Sequence, residues 1–320
     1  MKNRHKRRQR RKAFTMINTL LLLACMLGLA LIFYLYQDHS KLNLSQISQA
    51  LPKVSFFQHK EATTTTSQKA KKTKTTISTS PKTNQPQNTW TKQTSPVKVP
   101  ILMYHAIHVM APEEAANANL IVAPDLFEQQ IKTMTEAGYY FLSPEEAYRA
   151  LSSNELPAEK VVWLTFDDSM IDFYRVAYPI LKKYGVKATN NVITGLTEIG
   201  SVANLTLDQM KEMKQSGISF QDHTVNHPDL EQSSPDIQTS EMKDSKDYLD
   251  KELGQETIAI AYPAGRYSDT TLQIAASLNY KLGVTTNEGV ASAADGLLSL
   301  NRIRILPTTS PETLLAAMEQ

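Results

Sequence analysis

Apolar and polar positions divide the chain into three stretches. Residues 13–36 form an apolar run without a charged side chain, residues 37–98 are rich in Thr, Ser, Lys and Gln, and residues 99–320 alternate short apolar runs with amphipathic segments. The last pattern is typical of repeated strand and helix units, which build a parallel sheet. We therefore predict an α/β domain whose functional side chains lie at the carboxyl ends of its strands.

Predicted strands and helices alternate regularly within the domain. Ser143 and Thr206 are in place to cap helices, and Gly138, Gly185 and Gly217 stand where helices are expected to end. The predicted strands are 97–105, 161–166, 188–193, 258–262 and 281–284, and the predicted helices are 124–137, 143–151, 171–184, 206–215 and 269–278. Such a chain forms either an open parallel sheet or a closed barrel.

The apolar run predicts a membrane anchor. A bilayer-spanning helix takes about 20 residues, and residues 1–12 in front of the run carry eight Lys or Arg and no acid, which keeps the N-terminus cytoplasmic. We predict a basic cytoplasmic tail over residues 1–14, a transmembrane helix over 15–36, a disordered linker over 37–97 and an extracellular folded domain over 98–320. A cleaved signal peptide is the alternative, although its apolar region is usually only about 7–15 residues.

Charge and cysteine content narrow the function classes. Residues 1–98 hold 18 Lys and Arg against 2 Asp and Glu, whereas residues 99–320 hold 16 against 30. An acidic domain is poorly suited to nucleic acid and suits a substrate that is neutral or becomes cationic, although its acids could serve solubility alone. Cys25, the only cysteine, lies in the apolar run, so the domain has no disulfide and no thiolate metal ligand. Nothing indicates an obligate protein partner.

Two short strings carry the chemistry. Asp167 and Asp168 follow a predicted strand, and His223 and His227 are four residues apart, so both imidazoles reach one side if the segment is helical or a tight turn. Taken singly, the acids could cap a helix and the histidines could be ordinary surface or core residues. Together they predict a metal site, because three protein ligands with an open position make a hydrolytic centre. The spare carboxylate would accept a proton from bound water.

These residues resemble the polysaccharide deacetylases, which are carbohydrate esterase family four or NodB-homology domains. Residues 165–168 (Thr-Phe-Asp-Asp) are similar to the first family motif, residues 223–228 (His-Thr-Val-Asn-His-Pro) to the second, and residues 261–265 (Ala-Tyr-Pro-Ala-Gly) to the third. The resemblance covers about residues 98–320. It implies a distorted (β/α)7 barrel that hydrolyses the N-acetyl group of a GlcNAc-type sugar.

The resemblance also implies roles for individual residues. Asp168, His223 and His227 would hold a divalent metal, with zinc as the first choice and cobalt, nickel or manganese as alternatives. Asp167 would be the general base. The backbone N–H of Ala264 would help to bind the oxyanion.

Several positions depart from the family pattern. Ala261 stands where most members have the Arg that orients the base, and the usual Trp-containing fourth motif and Leu-x-His fifth motif are missing. A branch that resembles the poly-N-acetylglucosamine deacetylases shares the Ala and has its acid histidine in an N-terminal Tyr-His motif. Residues 301–304 (Asn-Arg-Ile-Arg) also fit that branch. We therefore expect His105 to be the general acid, with a capping or core histidine as the alternative.

Further residues are expected near the substrate. Asn191 either binds sugar or orders the site, since a buried amide needs partners. Asp222 is either the acceptor for a ligand histidine or a loop acid. The remaining candidates for the substrate groove, with core packing as the alternative for the aromatic ones, are Tyr104, Tyr262, Pro263 and Tyr267.

The sequence thus predicts a membrane-anchored, metal-dependent N-deacetylase at a Gram-positive cell wall. Its expected substrate is GlcNAc in peptidoglycan, in a wall polysaccharide or its linkage unit, or in poly-N-acetylglucosamine. A carbohydrate O-acetyl esterase is the chemical alternative. A catalytically idle glycan-binding or scaffolding module is the alternative of another class, and the missing Arg and Trp motifs favour it.

Overall fold

Seven parallel strands close into a barrel in the order in which they occur along the chain. The computed structural model describes residues 89–319. The barrel strands are β1 (Ile101–Tyr104), β2 (Val161–Phe166), β3 (Ala188–Val192), β4 (Ile218–Asp222), β5 (Ala259–Ala261), β6 (Leu282–Glu288) and β7 (Leu300–Arg304). β1 pairs in parallel with both β7 and β2, which closes the ring. The predicted seven-stranded barrel is therefore confirmed.

Helices cover the outside of the barrel. They are α1 (Pro124–Glu136), α2 (Pro144–Ser153), α3 (Tyr178–Tyr184), α4 (Thr194–Glu198), α5 (Leu207–Lys214), α6 (Pro235–Leu253), α7 (Asp269–Ser277) and α8 (Pro311–Met318). Ser143 and Thr206 cap α2 and α5 as predicted, because each hydroxyl accepts a hydrogen bond from the backbone N–H of the third residue of its helix. The apolar pattern did not predict α6, since polar Gln238 and Ser245 occupy two of its buried positions.

Shorter elements connect the barrel strands and the helices. Phe173–Ala177 is a π-helical turn that leads into α3. The 3₁₀ segments are Pro112–Leu120, Pro263–Gly265 and Ala293–Asp295. The short strands are Thr91–Lys92 with Glu155–Leu156, Lys98–Val99 with Ala291–Ser292, Ala106–Ile107 with Ile121–Val122, and Tyr140–Phe141 beside β2.

The core between barrel and helices holds Tyr104, which is fully buried. Its ring stacks on Phe166 and meets the edge of Phe127 from α1, and its hydroxyl donates to Gln130 Oε1 at 2.9 Å. Successive side chains of a strand point to opposite faces. Tyr104 therefore points to the helices, and its predicted place in a substrate groove is wrong.

The ordered domain begins earlier than predicted. Residues 89–97 were assigned to the linker, but Thr91–Lys92 pairs with a strand of the domain, Val97 is buried, and the guanidinium of Arg149 lies 4.4 Å from the centre of the Trp90 ring. Val97 belongs to the apolar core of the domain, and Trp90 packs against that core.

The predicted tail, transmembrane helix (15–36) and first part of the linker lie outside the described residues. Between residues 89 and 319, no helix combines the length and apolar character needed to cross a membrane.

Candidate active site

The predicted site residues meet at the carboxyl end of the barrel. Asp167 and Asp168 directly follow β2, His105 follows β1, and His223 directly follows β4. In a parallel barrel the carboxyl ends of all strands lie at the same end. Closure of the ring therefore brings together side chains that are far apart in the sequence.

Asp168, His223 and His227 form a set of possible metal ligands. Their ligand atoms lie within 4.8 Å of one another. Oδ1 of Asp168 is 3.3 Å from Nε2 of His223 and 3.7 Å from Nε2 of His227. Nδ1 of His223 donates to the Ala261 carbonyl oxygen at 2.6 Å, which directs Nε2 toward Asp168. One carboxylate and two imidazoles are a donor set that fits a divalent metal.

The charges of these ligands depend on their neighbours. Burial opposes the ionised form of Asp168, but the interaction with His223 outweighs burial and lowers the pKa of the carboxyl. Burial likewise opposes the protonated form of His223, but Asp168 and Asp167 outweigh it and raise the pKa of this ring, so a metal that binds Nε2 would displace a proton. Burial and the nearby His223 lower the pKa of His227, so its ring favours the neutral form that a metal requires.

A tight turn, rather than a helix, places the two histidines. The Thr224 hydroxyl accepts a hydrogen bond from the His227 N–H at 3.0 Å, and the Thr224 N–H donates to Asp222 Oδ1 at 2.7 Å. The helical alternative is therefore wrong. The prediction that Asp222 accepts a hydrogen bond from a ligand histidine is also wrong. The acceptor for His223 is the Ala261 carbonyl, and Asp222 instead holds the turn through the Thr224 N–H.

Asp222 is itself tied to the surrounding scaffold. Its carboxylate accepts hydrogen bonds from Ser245 on α6 and from the Tyr280 hydroxyl, whose oxygen also lies 2.9 Å from the Met242 carbonyl oxygen. Burial raises the pKa of Asp222 to about 6. The turn that carries the histidines is thus fixed to the outer helix.

Left-handed backbone conformations concentrate at the site. Such conformations cost non-glycine residues about 1–3 kcal/mol each and persist only where the surroundings impose them. The φ angles at these site residues lie between +50° and +73°; they are Asp168, Ser169, Thr224, His227 and Ala264.

Asp167 is held by a buried ion pair with Arg302. The side chains are 3% and 0% exposed, and Nη1 and Nη2 of Arg302 donate to Oδ1 and Oδ2 of Asp167 at 3.0 and 2.7 Å. Arg302 also donates to the Thr285 carbonyl at 2.7 Å and to the Thr165 hydroxyl at 3.1 Å. Burial disfavours the ionised form of Asp167, but the positive charge and hydrogen bonds of Arg302 have the larger effect. They hold the pKa of this carboxyl well below its usual range.

Arg302 was not expected in this position. In the sequence, Ala261 occupies the position where most family members have the Arg that orients the base. Residues 301–304 were noted only because they resemble one branch of the family, and no role was predicted for Arg302. In the barrel, β7 lies next to β1, which itself adjoins β2. A guanidinium from the last strand therefore reaches the carboxylate that follows β2.

Asn191 also contacts Asp167. Its Nδ2 donates to Asp167 Oδ1 at 2.7 Å, and the side chain is 1% exposed. Of the two roles predicted for Asn191, this contact matches the ordering of the site.

His105 lies next to the same carboxylate. Its Nε2 is 4.0 Å from Asp167 Oδ2, and its side chain is 13% exposed. Burial lowers the pKa of His105, and the opposing effect of the carboxylates of Asp167 and Asp168 is smaller. The neutral ring is therefore favoured.

The third motif forms a turn beside the ligand set. Tyr262 is fully buried with its hydroxyl bonded to the Leu298 carbonyl, Pro263 is buried, and half-buried Tyr267 stacks on Tyr262. Tyr262 therefore does not line a groove, because barrel and loop enclose it. Ala264 is exposed, and the two hydrogen bonds that close the turn come from Gly265 and Arg266.

A cavity of about 620 Å³ opens beside the ligand set. Its polar lining consists of Asp168 and His227 from the ligand set together with His108, Glu114 and Asp172. The remaining wall is mostly aliphatic and consists of Met170, Ile171, Ile193, Leu196, Ala203 and Asn204. Of the residues that line the cavity, only Asp168 and His227 were predicted from the sequence as site residues.

Comparisons with known proteins agree with this geometry. The family model described as polysaccharide deacetylase matches residues 154–283. The chain is 43% identical over 230 residues to YxkH of Bacillus subtilis (strain 168), whose name places it among the polysaccharide deacetylases, covering 72% of this chain and 79% of the relative. It is 31% identical to the poly-β-1,6-N-acetyl-D-glucosamine N-deacetylase of Staphylococcus aureus, covering 53% of this chain and 62% of that protein. The solved structure of the Streptococcus pyogenes deacetylase PplD in complex with acetate is 82% identical, with a TM-score of 0.69, and covers 71% of this chain and 100% of its own.

Proposed function

The chain belongs to the polysaccharide deacetylase family, and we propose that it removes N-acetyl groups from GlcNAc-type residues of a cell-wall or extracellular polysaccharide in a metal-dependent reaction. The predicted family and hydrolase class are confirmed. One observation carries the proposal: a buried carboxylate, Asp167, which is paired with Arg302, lies next to a set of three possible metal ligands. That pairing of ligands and base is what hydrolysis by activated water requires.

Asp168, His223 and His227 would hold the metal, with zinc as the first choice. A bound divalent metal would acidify a water molecule and polarise the acetyl carbonyl. The bond from His223 to the Ala261 carbonyl keeps one ligand in the correct tautomer and orientation.

Asp167 would accept the proton from the attacking water. Arg302 and Asn191 fix the orientation of its carboxylate, and the guanidinium keeps it ionised. The same guanidinium makes Asp167 a weaker base. The carboxylate can therefore act only on a water whose own pKa has been lowered.

His105 would deliver a proton to the leaving amine. Because burial favours its neutral form, it must receive that proton during the reaction. Its Nε2 lies 4.0 Å from the Asp167 carboxylate that takes the proton from water, so a small movement suffices for transfer. The exposed Ala264 N–H would stabilise the negative charge on the carbonyl oxygen.

The substrate and the cellular location are also part of the proposal. The relative from S. aureus is named for poly-β-1,6-N-acetyl-D-glucosamine, and the structure from S. pyogenes contains acetate. GlcNAc in peptidoglycan, in a wall polysaccharide or its linkage unit, and in poly-N-acetylglucosamine are the candidate substrates. The basic N-terminus and apolar run 13–36 support a single-pass anchor with the domain outside the membrane, at a Gram-positive wall.

The test is acetate release by the full-length chain. We expect zinc-dependent release from chito-oligosaccharides or isolated wall material, loss of release with a chelator, and loss with Asp167→Asn. Asp208→Asn, an exposed acid on α5, is the matched control and should retain activity. An O-acetylated glycan tests the esterase alternative. Release that survives Asp167→Asn would overturn the assignment of the base, and no release from any glycan would favour the idle module.

A further inference from the structure

We propose that Glu241 on α6 is a positioning residue, which holds His227 where the set of metal ligands needs it. This role rests on the metal-dependent deacetylase function proposed above. Glu241 belongs to none of the three sequence motifs and is not a member of the ligand set. It acts through Asn226, the residue directly before His227.

The two ligand histidines are held in different ways. The side chain of His223 is 2% exposed, and its ring is bonded to the Ala261 carbonyl. The side chain of His227 is 37% exposed, and its turn has left-handed φ angles at Thr224 (+66°) and at His227 itself (+56°). Such conformations persist only where the surroundings impose them. The place of the His227 imidazole therefore depends on the groups that hold the turn.

Glu241 makes three hydrogen bonds to this turn. Its Oε2 accepts from the Asn226 backbone N–H at 2.8 Å, and its Oε1 accepts from Asn226 Nδ2 at 2.7 Å. Its backbone carbonyl accepts from the Val225 N–H at 3.2 Å. Hydrogen bonds to carboxylates are roughly twice as strong as those between neutral groups. The carboxylate thus holds Asn226 by both its backbone and its side chain.

The opposite side of the turn is held by α4. The backbone N–H groups of Thr194 and Gly195 donate to the carbonyl oxygens of Thr224 at 3.1 Å and Val225 at 2.9 Å. A Cβ at Gly195 would lie only 2.7 Å from the Val225 carbonyl oxygen, so the close approach of α4 requires glycine. The Val225 peptide is therefore fixed on both sides. The freedom of His227 is then set by Asn226, which the Glu241 carboxylate holds.

One face of α6 anchors both histidines. Glu241 and Ser245 are four residues apart, so they lie one above the other on the same face of the helix. Ser245 donates to Asp222, which directly precedes His223, and Glu241 bonds to the residue that directly precedes His227. Each ligand histidine is thus tied to α6 through its neighbour in the chain.

The test measures zinc affinity and folding stability separately, with the full-length chain. Competition with a chromophoric chelator gives the zinc affinity, and urea unfolding without metal gives the stability. Glu241→Ala should weaken zinc binding about 10–100-fold, as is typical when a group that orients a metal ligand is removed. The visible spectrum of the cobalt(II)-loaded variant should change as well, because it reports ligand geometry. Asp244→Ala, an exposed acid on the same helix, is the matched control and should keep the wild-type affinity.

Exchanging donor and acceptor between the two side chains gives a second test. Asn226→Asp places a second carboxylate against Glu241 and should weaken zinc binding. In the double variant Asn226→Asp/Glu241→Gln, the Gln amide can donate to the new carboxylate while its oxygen accepts from the backbone N–H. The double variant has the wild-type net charge, and its zinc affinity should exceed that of Asn226→Asp.

Gly200→Ala separates the position of the turn from general stability. Gly200 follows α4, with a φ of +69° and open space around a Cβ, so this change should lower stability without lowering zinc affinity. An equal loss of zinc affinity in Gly200→Ala would overturn the positioning role. Wild-type affinity in Glu241→Ala, or a double variant that binds no tighter than Asn226→Asp, would overturn it too.

The same measurements distinguish this role from the proposed function. Zinc binding that depends on Glu241, without release of acetate from any glycan, would count against the function alone. Acetate release together with zinc binding that is independent of Glu241 would count against the positioning role alone. A wild-type chain that binds no zinc would overturn both.

Discussion

Replacing Arg302 by Met tests whether one buried guanidinium holds Asp167, the proposed general base, in place. Met keeps an apolar stem of comparable length but removes four hydrogen bonds, two to Asp167 and one each to Thr165 and Thr285. Asp167, only 3% exposed, would retain the bond from Asn191. Its negative charge would then be buried without a cationic partner from β7.

The expected loss of folding free energy is large. Removing one partner of a buried ion pair costs about 3–5 kcal/mol, because the remaining charge is uncompensated. That is a substantial part of a total stability of about 5–15 kcal/mol. The two threonine oxygens that lose their donor add to the loss.

The loss should also depend on pH. In the wild type the pKa of Asp167 is lower in the folded than in the unfolded state, so the pair stabilises the fold above the unfolded value of about 3.9 and this contribution is lost as pH falls. In Arg302→Met burial raises the pKa of Asp167 above the unfolded value, so the folded state takes up the proton more readily. The difference between variant and wild type should therefore shrink as the pH is lowered from about 7.5 to 5.

Urea unfolding of the full-length chain, with a chelator present, measures these differences. The variants are Arg302→Met, Arg302→Lys and the double variant Asp167→Asn/Arg302→Met. Lys keeps the charge without the two-point contact and should fall between wild type and Met. The double variant, which has no buried carboxylate, should recover about 2 kcal/mol or more relative to Arg302→Met. Equal losses at both pH values and no recovery in the double variant would show that Arg302 acts through packing rather than charge.

Three further changes test other parts of the site. Asp222→Asn should weaken zinc binding about 10–100-fold in a metal titration, because Asp222 holds the histidine turn; an affinity equal to that of Asp208→Asn would contradict this. Gly265→Ala should destabilise the domain by about 1–3 kcal/mol in thermal unfolding, since its φ is +68° and a Cβ would lie 2.0 Å from Thr286 Oγ1; an unchanged Tm would refute the constraint. His105→Gln should lower kcat for acetate release about 10²–10⁴-fold without reducing zinc affinity, and a parallel loss of zinc would argue for a role in metal binding instead.

Local patterns determined much of the fold. The strand over 161–166 and the helices that follow Ser143 and Thr206 were predicted closely, because a buried strand reads as a continuous apolar run and a helix cap is a local hydrogen bond. The 19-residue helix α6 was not predicted, since its buried face includes polar side chains that find partners only after folding. Gln238, for example, accepts a hydrogen bond from Thr271 on α7 at 2.7 Å.

The sequence by itself also indicated the possible metal ligands Asp168, His223 and His227 and the neighbouring carboxylate of Asp167, because short motifs after strands carry them. The tertiary structure alone decided which groups surround them. Ring closure brings Arg302 from the last strand to Asp167, and packing turns Tyr104 and Tyr262 away from the site. The cavity beside the ligand set likewise combines segments that follow different strands. Such contacts depend on which strands are neighbours and which way each side chain points, and no local periodicity encodes either.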